Sequence, residues 1–111
     1  YTNRIKTELA DNFQFLCPAP LESRLLRYLN LLAATVFLVT DCKDVARVDF
    51  RLDKHNHDKP YILEINPLPG LNPTLSDLCF QSSALGWSYE QLINTIVNTA
   101  AERQGLTSRV R

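Results

Sequence analysis

Arg47, Asp49, Glu64 and Asn66 fall within one stretch, ARVDFRLDKHNHDKPYILEINPLPG, residues 46 to 70. Two carboxylates and an amide oxygen are the donors that a hard divalent cation takes, and magnesium usually combines one or two protein carboxylates with substrate phosphates. An arginine beside such a set can hold a phosphate or stabilise developing negative charge. The stretch then runs into Pro67, Pro69 and Gly70, a rigid turn in which glycine lets a substrate approach the backbone N–H. A plainer account fits the same residues: a charged sheet face wetted by solvent, with Arg47 offsetting the carboxylates and PLPG ending a strand. Spacing alone does not decide between the two.

The residues need an antiparallel hairpin to bring them together. Val48, Phe50 and Leu52 alternate with Arg47, Asp49 and Arg51, and Tyr61, Leu63 and Ile65 alternate with Ile62, Glu64 and Asn66. A turn centred between Asn56 and His57 sets Asp49 opposite Glu64, Arg47 opposite Asn66, Phe50 opposite Leu63 and Val48 opposite Ile65. A slip of one residue would bury the charges, so the choice of faces is firmer than the register. Facing carboxylates repel on the roughly 0.2–1 kcal/mol scale of cross-strand pairs, so a cation or Arg47 should offset them. His55 and His57 at the tip form an HxH without a third ligand nearby and read as an exposed turn.

Helices flank the hairpin. Leu21, Leu25, Leu29, Leu32 and Val36 recur at three and four residues and predict an amphipathic helix to about Val39, with Pro20 suited to its first turn. Ser76 and Asp77 open a short helix. Ser88 with Gln91 predicts a capping box, Trp87 and Leu92 a hydrophobic staple, Leu92, Ile93, Ile96, Val97 and Ala100 an apolar face, and Gly105 a C-terminal cap. Mixed polarity over Tyr1 to Leu16 hints at a strand before the CPAPL turn. The expected class is α+β, antiparallel strands packed with helices.

Composition narrows the remaining choices. The chain has 111 residues, 45% hydrophobic and 22% charged, which suffices for one core. Lys plus Arg equals Asp plus Glu at twelve each, so no global bias points to nucleic acid or a membrane surface. Cys17, Cys42 and Cys79 are widely spaced and contain no CxxC pair, which suits reduced thiols in the cytoplasm. Cys79 has no evident base beside it. The most apolar run, Leu29 to Val39, falls short of the about 20 residues that span a bilayer. A start at Tyr1 and the lack of methionine suggest a piece of a longer protein.

Taken together, ARVDFRLD and PYILEINPLPGLNPTLSDL resemble the C-terminal part of an ATP-grasp ligase, closest to the D-alanine–D-alanine ligase group. The resemblance rests on the family pattern R-x-D…E-x-N-x-x-P-G and extends over most of the chain, through YTNRIK and CPAPL. It implies that residues 1–111 are the C-terminal lobe of an ATP-grasp domain, with upstream domains missing. Asp49, Glu64 and Asn66 would hold two Mg2+ ions (or Mn2+) on the ATP phosphates. Arg47 and the Gly70 amide would stabilise the acyl phosphate and the tetrahedral intermediate. Lys6 would approach the second substrate's carboxylate. An amide bond made at the expense of ATP, in cell-wall precursor synthesis in the cytoplasm, is the implied activity, and a homodimer remains open.

Two departures qualify this. Family members carry a Ser-Leu pair after the Pro-Gly to receive the acceptor's carboxylate, whereas this chain offers Ser76 and Asp77 at or one position beyond that place. Asp77 would repel a carboxylate, so another amino-acid or peptide ligase is an open alternative. The chain also has only three glycines and no glycine-rich phosphate loop, so it is expected to be inactive alone. A non-catalytic module whose acidic hairpin binds a basic partner is the alternative from another class.

Overall fold

The computed structural model describes residues 16–106. Helix α1 spans Ser23–Val39, strands β1 and β2 span Arg47–Asp53 and Lys59–Asn66, and helices α2 and α3 span Asp77–Ala84 and Tyr89–Arg103. The class is α+β, as expected, with the strands forming a two-stranded antiparallel sheet. Tyr1 and Lys6 lie outside the described residues.

The hairpin holds the expected pairs nearest the site and departs from them toward the tip. Arg47 pairs with Asn66, Val48 with Ile65 and Asp49 with Glu64; Phe50 then pairs with Ile62, not Leu63. Leu63 is the extra residue of a β-bulge, 64% exposed, and every pair beyond it is shifted by one on β2. Ile62 therefore takes the place across from Phe50, and Tyr61 crosses to Arg51 on the charged face. The tip centres on Asn56, where Asn56 N–H donates to the Asp53 carbonyl and Lys59 N–H to the Asn56 carbonyl. His57 and Asp58 adopt left-handed φ of 54° and 56° there, and both histidines are exposed.

All three helices end in the same way, for local reasons. In α2 the Gly86 N–H donates to the Ser83 carbonyl and the Trp87 N–H to that of Ser82; in α3, Gly105 and Leu106 donate to Glu102 and Ala101. Both glycines sit at positive φ, 85° and 75°, as a Schellman turn requires. Helix α1 closes with the same bond pattern through Asp41 at φ 58°, and Thr40 Oγ1 adds a bond to the Val36 carbonyl at 2.7 Å.

Burial is uneven. Cys79, Ser82, Leu92 and Ala101 are the buried residues of α2 and α3, which pack on each other. Val97, expected on the apolar face, is half exposed, and Ala101 is buried instead. The Leu106 N–H of the Schellman turn donates to the Ala101 carbonyl at 2.7 Å. Helix α1 contributes no buried residue at all, and its start at Ser23 lacks a side-chain cap. Its stripe, Leu25, Leu29, Leu32 and Val36, is half covered as the spacing predicts, with Leu29 and Ala33 facing Val48 and Phe50 of β1 across a shallow cavity.

Candidate functional site

The site grows from the end of the hairpin that lies before the bulge. Pleating there puts Arg47, Asp49, Glu64 and Asn66 on one face, with Asp49 directly across from Glu64. Residues two apart on one strand share a face, and Arg47 uses this to fork onto its neighbour. Its Nε donates to Asp49 Oδ1 at 2.9 Å and its Nη2 to Oδ2 at 3.0 Å. The pair is partly covered, with side chains 27% and 36% exposed. The guanidinium is held above its ordinary pKa, first by the hydrogen bonds to Asp49, against the effect of burial, with Coulombic attraction from Asp49, Asp77 and Glu64 added.

Helix α2 brings in the residue that spacing did not place. Asp77, its first residue, puts Oδ2 at 3.9 Å from Arg47 Nη1, too long for a hydrogen bond but an ion-pair distance. Arg47 thus faces one carboxylate with its Nε–Nη2 edge and a second with Nη1. Arg47, Asp49 and Asp77 border a small cleft with Cys17, Phe80 and Gln81.

The loop from β2 to α2 is tightly tied. Asn66 Oδ1 accepts from the Leu68 N–H at 3.0 Å, Asn72 Oδ1 accepts from the Thr74 N–H at 2.9 Å, and Tyr89 Oη donates to the Leu71 carbonyl at 2.7 Å. Ser76 is the N-cap of α2 but makes no side-chain cap bond; its Oγ accepts the Asn72 N–H at 2.8 Å. A Cβ on Gly70 would meet that Oγ at 2.8 Å, so a side chain there would make Ser76 turn its hydroxyl away. Gly70 itself is exposed beside the site, next to buried Pro69.

These donors suit a hard cation. The set consists of oxygens only, two carboxylates and an amide, which matches magnesium with phosphate oxygens completing its sphere. One carboxylate, Glu64, is exposed, while the other is engaged by Arg47. Among the described residues no group of three or more His, Cys, Asp or Glu is arranged to hold a metal.

Comparison with known proteins decides the family. The model of the D-alanine–D-alanine ligase C-terminus matches residues 1–98. The chain belongs to this ligase family. It is 36% identical over 89 residues to a D-alanine–D-alanine ligase of Ruthia magnifica, covering 80% of this chain and 29% of the relative. It is 41% identical over 87 residues to an uncharacterized protein of Sinorhizobium fredii, covering 78% of this chain and 25% of that one. A D-alanine–D-alanine ligase of Synechococcus is 39% identical over 72 residues, 64% of this chain and 21% of the relative. The chain therefore spans under a third of the length of these relatives. No solved structure matches.

Of the residues singled out from the sequence, Arg47, Asp49, Glu64 and Asn66 come together on one face, Gly70 and Ser76 touch in the adjoining loop, and Asp77 reaches Arg47. Sequence reasoning missed the Asp77 contact and the Tyr89 tie to Leu71. The first depends on how α2 docks, which no local pattern encodes. No described helix is long and apolar enough to cross a membrane.

Proposed function

We propose that this chain is the C-terminal part of an ATP- and magnesium-dependent ligase that joins a carboxylate to an amine, with D-alanine as the leading substrate. The register carries the reading: Asp49 opposite Glu64 and Arg47 opposite Asn66, in a chain of the ligase family. Asp49, Glu64 and Asn66 would hold the magnesium ions, or manganese in their place, which neutralise the charge of the ATP phosphates. The chain's own groups act on the charge that develops beside them. Arg47 stabilises negative charge on the acyl phosphate and the tetrahedral intermediate, and the Gly70 N–H adds a donor to the oxyanion. Ser76 accepts from Asn72 and still has its hydroxyl proton to donate to the second substrate, with Asp77 beside it and Lys6 contributed by the first segment.

Such a reaction needs an ATP pocket as well, which the remaining length of the relatives would supply; alone, this chain would be inactive. Work in the cytoplasm on cell-wall precursors follows from the ligase reading. The test is phosphate release by the full-length enzyme, with pairs of amino acids, ATP and magnesium. Glu64→Gln should lower kcat on the order of 100-fold or more while leaving the circular dichroism spectrum unchanged. Turnover that survives both Glu64→Gln and EDTA would overturn the metal reading, whereas no phosphate release with any pair of amino acids would favour a non-catalytic module.

A further inference from the structure

Arg47 takes one lone pair on each oxygen of Asp49, at 2.9 and 3.0 Å, so a cation at Asp49 competes with it for the same carboxylate charge. If Asp49 turns to a metal, Arg47 loses its fork, and a guanidinium only 27% exposed is left short of a counter-charge. Its own positive charge would then also oppose the incoming cation. The structure supplies a second partner on the opposite side: Asp77 lies 3.9 Å from Nη1, the nitrogen that Asp49 does not use. Asp77 is thus the anionic side chain that the start of α2 offers to Arg47.

We propose that Asp77 is a positioning residue that takes over Arg47 when a divalent cation claims Asp49. A closing of about 1 Å would convert the present ion pair into a hydrogen-bonded one. The exchange keeps Arg47 paired and at the cleft it already borders with Cys17, Phe80 and Gln81. This rests on the metal reading of Asp49 and Glu64, and it assigns Asp77 a task that does not require contact with substrate.

The experiment is a Mn2+ titration of the full-length enzyme with a non-hydrolysable ATP analogue bound, read by the electron paramagnetic resonance of free Mn2+. It is run in about 0.15 M salt, where exposed charges beyond roughly 8 Å are largely screened. Asp77→Asn should weaken Mn2+ binding about two- to fivefold, the scale of a part-exposed ion pair, and Asp77→Glu should restore it. In an Arg47→Gln background Asp77→Asn should have no effect, because the residue acts through Arg47. Equal weakening in both backgrounds would mean a simple nearby charge and overturn the exchange, as would no weakening at all. Asp49→Asn separates the two levels. If Mn2+ binding ignores that substitution, the metal reading falls and the exchange with it; if binding depends on Asp49 but not on Asp77, the exchange falls alone.

Discussion

Helices α1 and α3 have similar lengths and both carry an apolar stripe, yet they are held by different means. Helix α3 is fixed at each end by its own sequence. Ser88 Oγ accepts the Gln91 N–H at 3.1 Å while Gln91 Oε1 accepts the Ser88 N–H at 2.7 Å, and Gly105 closes the other end. It buries Leu92 and Ala101 and joins Arg103 to Asp44. Helix α1 has no side-chain cap at its N-terminus and no buried residue, and Leu38 and Val39 are 75% and 79% exposed. A periodic stripe therefore tells which face of a helix is apolar but not how far the described residues cover it. The site hangs from the better-held half, since Tyr89 of α3 bonds the loop that carries Gly70 and Ser76.

The largest effect that would break this contrast is a core truncation. Leu92, 4% exposed, should cost about 2–5 kcal/mol on Leu92→Ala, whereas Leu38→Ala should stay within about 0.5 kcal/mol. Urea unfolding followed by circular dichroism measures both. Equal losses would mean that α1 is covered as well as α3. Hydrogen exchange on the unaltered chain gives the same comparison without substitution, with amides of α1 exchanging before those of α3.

A smaller effect tests how tightly the site loop is built. Gly70→Ala places a methyl group 2.8 Å from Ser76 Oγ, and turning that hydroxyl away breaks its bond to the Asn72 N–H. The cost should be about 1 kcal/mol, the net worth of one hydrogen bond. In a Ser76→Ala background the obstacle is gone, because Ser76 Cβ lies 3.7 Å from the new methyl, and the penalty should vanish. A penalty equal in both backgrounds would place the strain in the backbone of Gly70 instead.

Legibility followed the range of each interaction. The charged face of the hairpin was readable because side-chain parity is fixed by the pleat, so Arg47, Asp49, Glu64 and Asn66 were grouped without coordinates. The turn was placed half a residue late, between Asn56 and His57, because the bulge at Leu63 inserts one residue into β2 and leaves no mark in an alternation of apolar side chains. Caps were readable because Ser88, Gln91 and Gly105 act within a few residues. The Asp77 contact with Arg47 and the Arg103 contact with Asp44 were not, since each needs a helix docked against a distant segment.

The mildest prediction isolates that last contact, which anchors the end of α3 just ahead of β1. Arg103 donates to both oxygens of Asp44, at 3.0 and 2.8 Å. The hydrogen bond to Arg103 is the main cause of the lowered Asp44 pKa, with burial acting against it and Coulombic attraction from Arg103 and Lys43 aiding it. A carboxyl group held below its ordinary value of 3.8 stabilises the fold fully above that value, and the contribution fades as pH falls through the lowered one. Asp44→Asn suits the measurement because Asn tolerates the left-handed φ of 65° as readily as Asp, so the substitution removes the charge without straining the turn. The variant should melt below the parent by a constant margin from pH 7 to about 5, and the margin should shrink once pH drops under the carboxylate's ordinary value. A margin that stays constant in acid would mean that the pair holds α3 through hydrogen bonding that survives protonation. The contrast between α3 and α1 would then rest on burial and capping alone.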